Sequence, residues 1–555
     1  MQPPAGRLPR RFGPLARPSS AALPLSLLAL AVWAVACDLL STPATLLPFA
    51  AATEVPRPTP APPAPAPTPT PTPTPSPGVT LLLETRDEPP TDVAAVHIPL
   101  PGLVRPRRAL PAPAGVFLLD EGKPYLLTVP SGLLRALVPN GETPFHDPLS
   151  LALAGDGALL LLDRPSDLFR YALPEGWSTT IPAGQVAYPS NAYFAAAAVA
   201  TGGHLLLDVA HGWLWQGSGA QAQVVAVEAR WRYGIDVAAR DDAAFVLADP
   251  PQGEPSLLKL VPGRGIDRRF QPGEAIEAPV ALVSHLTAGL GVIDREGGRL
   301  LILDPATGDK VAAYLPPGPA PLITGAFEHD DTLYLLTEAG LLRVQAALPP
   351  GGLRPLPPPA LAPAERRLAA ETPLTSPIRG AVVPADPQLL PGAPRYYRGG
   401  VHEGVDFFSG QGVVVSRATA ALAAADGTVV RADVDFFAPS PLEMAGLLAR
   451  GRALAGTAAP DLDRFRGRQV WLDHGDGLIT RYAHLAAIAP GIVEGMRVSR
   501  GQALGNAGNS GTPEALDGPD AGVHLHFEIW LGQRYLGQGI GPTELRRRLR
   551  ALFGQ

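Results

Sequence analysis

The sequence predicts an all-β chain, a six-bladed β-propeller followed by a smaller β domain, and three observations support that reading. Between about residues 79 and 347 an apolar run ending in an acidic residue returns every 41 to 45 residues, at Asp120, Asp163, Asp208, Asp249 and Asp294, with Thr337 in the sixth place. Short strands, turns of Gly, Asp and Pro, and a period of that size are what a four-stranded blade requires. A proline-rich break over residues 346–364 separates this region from the rest. Beyond it, Gly522–Trp530 alternates strictly, with Val523, Leu525, Phe527 and Ile529 on one face of a strand and His524, His526 and Glu528 on the other.

Arg7, Arg10, Arg11 and Arg17 precede an apolar run, Leu23 to Ala36, that ends at Cys37. This is the layout of an export signal. Small residues before a lone cysteine resemble a bacterial lipoprotein signal, which implies that Cys37 is lipidated and anchors an exported protein to a membrane at the cell surface. An ordinary cleaved signal and an uncleaved anchor are the alternatives, although the run is short for a span and Pro24 interrupts it. Cys37 is the single cysteine in 555 residues, so the exported domains have no disulfide and rest on burial and metal. The Pro-Thr repeat at residues 56–78 has almost nothing to bury and predicts an extended, semi-rigid spacer. A net charge of −6 gives no reason to expect a nucleic-acid partner. The resulting organisation is an export signal at 1–37, a Pro/Thr linker at 38–78, the repeat domain at 79–347, a second linker at 348–373 and a tethered C-terminal domain at 374–555.

Within the repeats, each aspartate ends a strand where turn amides need partners, so it reads as an acceptor and not a metal ligand. Trp213, Trp215, Trp231 and Tyr233 read as blade core, with a sugar- or peptide-binding face as the alternative. Catalysis is not indicated here, and a protein or glycan is the kind of ligand expected. The repeats resemble the NHL and YncE-like propellers.

The chemistry gathers after residue 400, where five of the eleven histidines lie. His402-Glu-Gly-Val-Asp406 is followed by Tyr482-Ala-His484-Leu485 and then by the His524/His526 strand. Gly404 weakens a helix and Val405-Asp-Phe-Phe408 reads as a strand, which rules out a helical His-Glu-x-x-His motif. In this order the three motifs resemble the lysostaphin-like (LytM-type) zinc endopeptidases, which cut peptidoglycan cross-links, over roughly residues 374–540. The resemblance implies that His402, Asp406 and His526 bind Zn²⁺ and leave a position open for water. It also implies that His484 and His524 assist the attacking water and stabilise the tetrahedral intermediate, with the two roles unassigned. Peptidoglycan peptides are the implied substrate. A non-catalytic relative that activates another wall hydrolase, and a lipid-anchored propeller scaffold that binds peptidoglycan, are the competing readings.

His474 belongs to a turn, while Glu403 and Glu528 read as surface or supporting residues, Glu528 being placed to orient a ligating histidine. Gly495–Gly505 reads as a hairpin. Two segments are longer than the resemblance allows, the one after Phe436 and the loop Gly511–Gly522. In the first, Ser440-Pro-Leu-Glu443 opens a helix carrying Leu442, Met444, Leu447, Leu448 and Leu454. That helix is expected to wall or lid the groove, or else to dock on the domain's far side or against the propeller. The terminal Pro542–Phe553 segment predicts an amphipathic helix, with Leu545, Leu549 and Leu552 inward and its arginines on a solvated face.

Overall fold

A computed structural model of the chain describes residues 76–345 and 362–555, apart from short loop stretches within them such as 139–144, 182–187, 317–321 and 454–455. The export signal, Cys37, nearly all of the Pro/Thr repeat and residues 346–361 lie outside the described residues. Among the described residues no helix is long and apolar enough to cross a membrane.

Six four-stranded blades form the first part. The first comprises Pro106–Ala112, Gly115–Asp120, Lys123–Thr128 and Leu133–Ala136, each antiparallel to the next. Four more follow over residues 148–181, 194–227, 234–266 and 279–315. The sixth takes three strands from Ile323–Gln345 and its outermost strand, Thr91–Pro99, from the start of the domain. Ser76–Thr85 then pairs with both Thr91–Pro99 and Lys310–Leu315, stitching the fifth blade to the sixth. The first strands of successive blades touch around the ring, and Ile323–His329 meets Pro106–Ala112 to close it. Closure leaves few free edges, which is how a radial sheet array avoids pairing with other chains.

The repeated acidic residue does what its position implied. Asp120 accepts the amides of Val104 and Arg105, Asp163 those of His146 and Asp147, and Asp294 those of Glu277 and Ala278. Each carboxylate thus ties the second strand of a blade to the turn that enters its first strand. Trp231 is fully buried, Trp215 nearly so, and Trp213 stacks on His211 with ring centroids 4.5 Å apart.

In the C-terminal domain the central strand Leu525–Leu531 lies between Val405–Phe407 and Leu478–Ala483, and Val470–Asp473, Gly427–Ala432 and Arg497–Val498 continue the sheet. Leu525, Phe527 and Ile529 enter the core together with Val405, Phe407, Leu472 and Tyr482. The expected hairpin at Gly495–Gly505 does not form, because Arg497–Val498 and Ala503–Asn506 join different sheets across the turn at Ser499–Gln502.

The expected tether also differs. The described residues of the repeat region and of the C-terminal domain fall in one compact unit, and a helix, Pro363–Ala370, occupies the end of the predicted linker. A buried polar network joins the two parts. Arg164 of the second blade pairs with Asp147 and donates to Tyr193 Oη, Gly537 O and Ile540 O. Asp147 in turn accepts from Tyr535 Oη and the Gly539 amide. The terminal helix Pro542–Phe553 packs here too, so its arginines are not a solvated face. Arg546 is buried, donates to Pro384 O and Ala385 O, and lies over the Tyr233 ring. Thr543 donates to Gly234 O of the fourth blade, and Glu544 accepts from Arg295 of the fifth at 2.6 Å. Polar groups that meet acceptors on the other domain turn an apparently exposed face into an interior one.

Replacing Arg164 with Leu strands Asp147 in a sealed interface. The expected loss is about 3–5 kcal/mol of stability, read from urea unfolding of the chain. A change below about 1 kcal/mol would show that the network does not hold the two domains together.

Candidate metal centre

Three side chains from distant parts of the sequence converge beside the central strand. Asp406 and His526 are direct cross-strand partners, and His402 approaches from the turn that precedes the strand of Asp406. His402 Nε2 lies 2.9 Å from Asp406 Oδ1 and 2.9 Å from His526 Nδ1, and His526 Nδ1 lies 2.8 Å from Asp406 Oδ1. All three residues are buried.

The outer atoms of this cluster are committed elsewhere. His402 Nδ1 donates to Leu390 O at 3.1 Å, and His526 Nε2 donates to Glu528 Oε1 at 2.9 Å. Each ring therefore turns an unprotonated nitrogen inward, and Asp406 adds a carboxylate oxygen. Three lone-pair donors facing one another at this spacing repel unless a cation lies among them, so the donor set fits a metal ion, with two imidazoles and one carboxylate. Burial, with Arg395 nearby, lowers the His402 pKa to about 3, which keeps that ring neutral. Burial opposes charge on His526 as well, yet Asp406 and Glu528 outweigh it and raise its pKa, a sign that the surrounding field favours positive charge at this point.

Support comes from residues that the sequence did not single out. Arg395 Nη2 donates to Asp406 Oδ2 at 3.1 Å and so leaves Oδ1 for the centre. Arg466 donates to Glu528 and pairs with Glu403, while Arg481 and Trp530 also reach Glu528. Burial works against charge on Glu528, but Arg466 and the other donors hold its pKa well below the ordinary carboxylate value. A carboxylate fixed in this way orients His526. Gly404 has a packing reason: a Cβ there would lie 2.8 Å from the His526 ring and 2.7 Å from Phe527 O. No spacing rule could have found Arg395 or Arg466, whose role depends on which loops fold together.

His484 and His524 stand beside the cluster, with ring centroids 4.8 Å apart and His484 5.4 Å from His526. His484 Nδ1 donates to Ser510 O and His524 Nδ1 to Gly522 O, so both leave Nε2 free. The Nε2 of His524 is 3.7 Å from Asp406 Oδ1, and its ring stacks on Phe408. Burial lowers both pKa values, that of His484 strongly, so both imidazoles are held neutral with Nε2 unprotonated. His484 also adopts φ 58°, a left-handed conformation uncommon for a side-chain-bearing residue, of the kind that gathers at functional sites. The remaining candidates are structural. His474 binds Asp426 O and Thr480 Oγ1, and Tyr482 Oη accepts the Ala424 amide. A second cluster, His146 with Asp163 and Asp167, lies in the propeller where Asp163 already serves turn amides.

The centre opens into a groove of about 320 Å³. Both longer segments border it. Leu462 and Phe465 of the helix Ala459–Arg466 form one side, and Thr512, Pro513 and Glu514 another. The preceding helix, Pro441–Ala453, begins with the expected capping box, in which the Glu443 amide donates to Ser440 Oγ and the Ser440 amide to Glu443. Its Met444 and Leu447 are buried in a small core with Phe465, while Leu442 stays exposed and Leu454 lies outside the described residues.

Residues 449–537 match Peptidase family M23, a stretch that includes His484, His524 and His526 but stops short of His402 and Asp406. The peptidoglycan DD-endopeptidase ShyA of Vibrio cholerae is 40% identical over 65 residues, which is 12% of this chain and 13% of that protein's length. Among solved structures, a putative M23 peptidase of Pseudomonas aeruginosa aligns at 20% identity with a TM-score of 0.18, covering 46% of this chain and 84% of its own. The virginiamycin B lyase of Staphylococcus aureus aligns at 9% identity and a TM-score of 0.34, covering 49% and 96%. A gluconolactonase of Xanthomonas campestris aligns at 13% and 0.37, covering 51% and 99%.

Purified protein is expected to carry about one divalent metal ion per chain. His402→Ala, Asp406→Ala and His526→Ala should each lose it, whereas His484→Ala and His524→Ala should retain it, as elemental analysis can measure. Retention by His526→Ala together with loss in His524→Ala would reverse the assignment.

Proposed function

We propose that this chain, whose C-terminal part is an M23 peptidase domain, is a zinc-dependent endopeptidase that cuts peptide cross-links of bacterial peptidoglycan and is held at the cell surface through Cys37. The observation that carries the reading is the meeting of His402 Nε2, Asp406 Oδ1 and His526 Nδ1 at one point, with two neutral histidines beside it in an open groove. The similarity to a DD-endopeptidase supports the substrate class.

When bound by His402, Asp406 and His526, Zn²⁺ supplies a Lewis acid that acidifies water and polarises a carbonyl oxygen. The protein's own part begins with the groove, which holds the peptide so that its scissile carbonyl faces the His484 and His524 rings. One of the pair takes a proton from the attacking water through its free Nε2 and passes it to the leaving amine nitrogen as the C–N bond breaks. The other, once its Nε2 carries a proton, donates a hydrogen bond from that nitrogen to the oxygen that gains negative charge. Ser510 O and Gly522 O hold the Nδ1–H of both rings, so each ring gains and loses its proton at Nε2.

The test is release of soluble fragments from purified cell walls. His484→Ala and His524→Ala should each lower turnover by about 10²–10⁴-fold with metal retained, and full activity in both would remove them from the mechanism. Replacing residues 440–464 with a short Gly-Ser link should preserve metal binding but change the ratio of activity on intact wall to activity on small soluble peptides. Equal effects on both substrates would make the insert purely structural. For the anchor, Cys37→Ser is expected to abolish partition into a detergent phase, and a mature protein that begins elsewhere than at residue 37 would defeat the idea.

A further inference from the structure

The six first strands enclose a channel, and each contributes to its lining, through residues 107–111, 151–153, 197–199, 237–240, 281–285 and 325–326. Its volume is about 300 Å³. A smaller chamber of about 60 Å³ shares Arg107, Arg108 and Ala281 with it and is floored by Gly539, Gly541, Thr543 and Glu544 of the C-terminal domain.

That chamber is strongly cationic. Five arginines, Arg105, Arg107, Arg108, Arg295 and Arg548, line it against two glutamates, Glu338 and Glu544. Glu544 is already occupied by Arg295, Arg547 and Arg548. Arg108 is paired with Asp236 at 2.5 Å, and Arg105 lies 3.6 Å from Glu121 and 3.8 Å from Glu365. Arg107 carries the larger unpaired edge: its Nε and Nη2 are sealed from solvent and have no hydrogen-bond partner among the described residues, as is the case for a single nitrogen, Nη1, of Arg548. Burial, and after it the Arg548 charge, pulls the Arg107 pKa well below the ordinary arginine value, and Glu544 offsets this only in part. A sealed guanidinium edge without acceptors is poorly tolerated in a folded interior. Nε and Nη2 form one edge of the guanidinium, the edge that a carboxylate or phosphate meets with two parallel hydrogen bonds.

We propose that the floor of the propeller channel is an oxyanion-binding site, in which a turn of the Arg107 side chain brings Nε and Nη2 onto a carboxylate or phosphate group in the chamber while the rest of the ligand fills the wider channel. The site is distinct from the metal centre. None of its lining residues belongs to the groove around His402 and His526.

The experiment uses the 555-residue chain after chelator treatment, so that anions do not act through a metal. Melting temperature and calorimetric binding are measured with inorganic phosphate and with N-acetyl-alanylalanine, each against sodium chloride at matched ionic strength. Either oxyanion at millimolar concentration should raise the melting temperature by several degrees. Arg107→Leu, which removes the unpaired edge, should fold with an unliganded melting temperature at or above that of the parent and lose the response, with binding weakened at least tenfold. Arg107→Gln gives the same reading should the Leu variant fail to fold. A response to phosphate alone assigns a phosphorylated ligand, and a response to the peptide acid alone assigns a carboxylate. No response in the parent chain, or equal responses in parent and variants, overturns the proposal.

Discussion

Three electron-pair donors held within 3 Å of one another repel, and the C-terminal domain is arranged to hold them there. Asp406 and His526 are fixed by the sheet itself, as opposed residues of neighbouring strands. His402 is held by a carbonyl behind it, and His526 by Glu528, which is pinned by two arginines and a tryptophan. Each device commits an outer atom so that an inner lone pair stays directed at the centre. The repulsion that remains is what a cation relieves, and affinity for the cation and rigidity of the shell have the same origin.

The second constraint is the junction between propeller and C-terminal domain. The chain leaves the central strand at Leu531, inserts residues 534–541 against the second blade, and finishes in a helix packed beneath the fourth and fifth. The segment that follows the histidine strand is therefore also the segment that floors the propeller channel. Buried charges at such a junction contribute little net stability when paired, yet removal of one partner is expensive, so the network favours a single docked arrangement over alternatives. The propeller accordingly packs directly against the C-terminal domain through these contacts.

Much of this was legible in the chain. The recurring acidic residue identified the blades because one geometric need, an acceptor for turn amides, recurs at Asp120, Asp163, Asp208 and Asp294. The alternation at Gly522–Trp530 placed His524, His526 and Glu528 on one face, since a strand leaves no other choice. The Ser440/Glu443 capping box was equally local. By contrast, the arginines of the terminal helix read as solvated because a helical repeat shows only which residues share a face, never what that face meets. The strand that closes the sixth blade was missed for a related reason, as it lies some 240 residues from its partner and carries no periodic mark.

By itself the sequence determined the all-β class, the number of blades, and the set of histidines and the aspartate available for chemistry, because these depend on local periodicity and residue type. Only the tertiary structure decided that Arg395 and Arg466 support the cluster of His402, Asp406 and His526, that the inserted helix Ala459–Arg466 borders the groove, and that an edge of Arg107 lacks a partner among the described residues. Each of those facts rests on a distance between segments far apart in the chain, and such distances are set by packing of the whole core and not by any pattern along one segment.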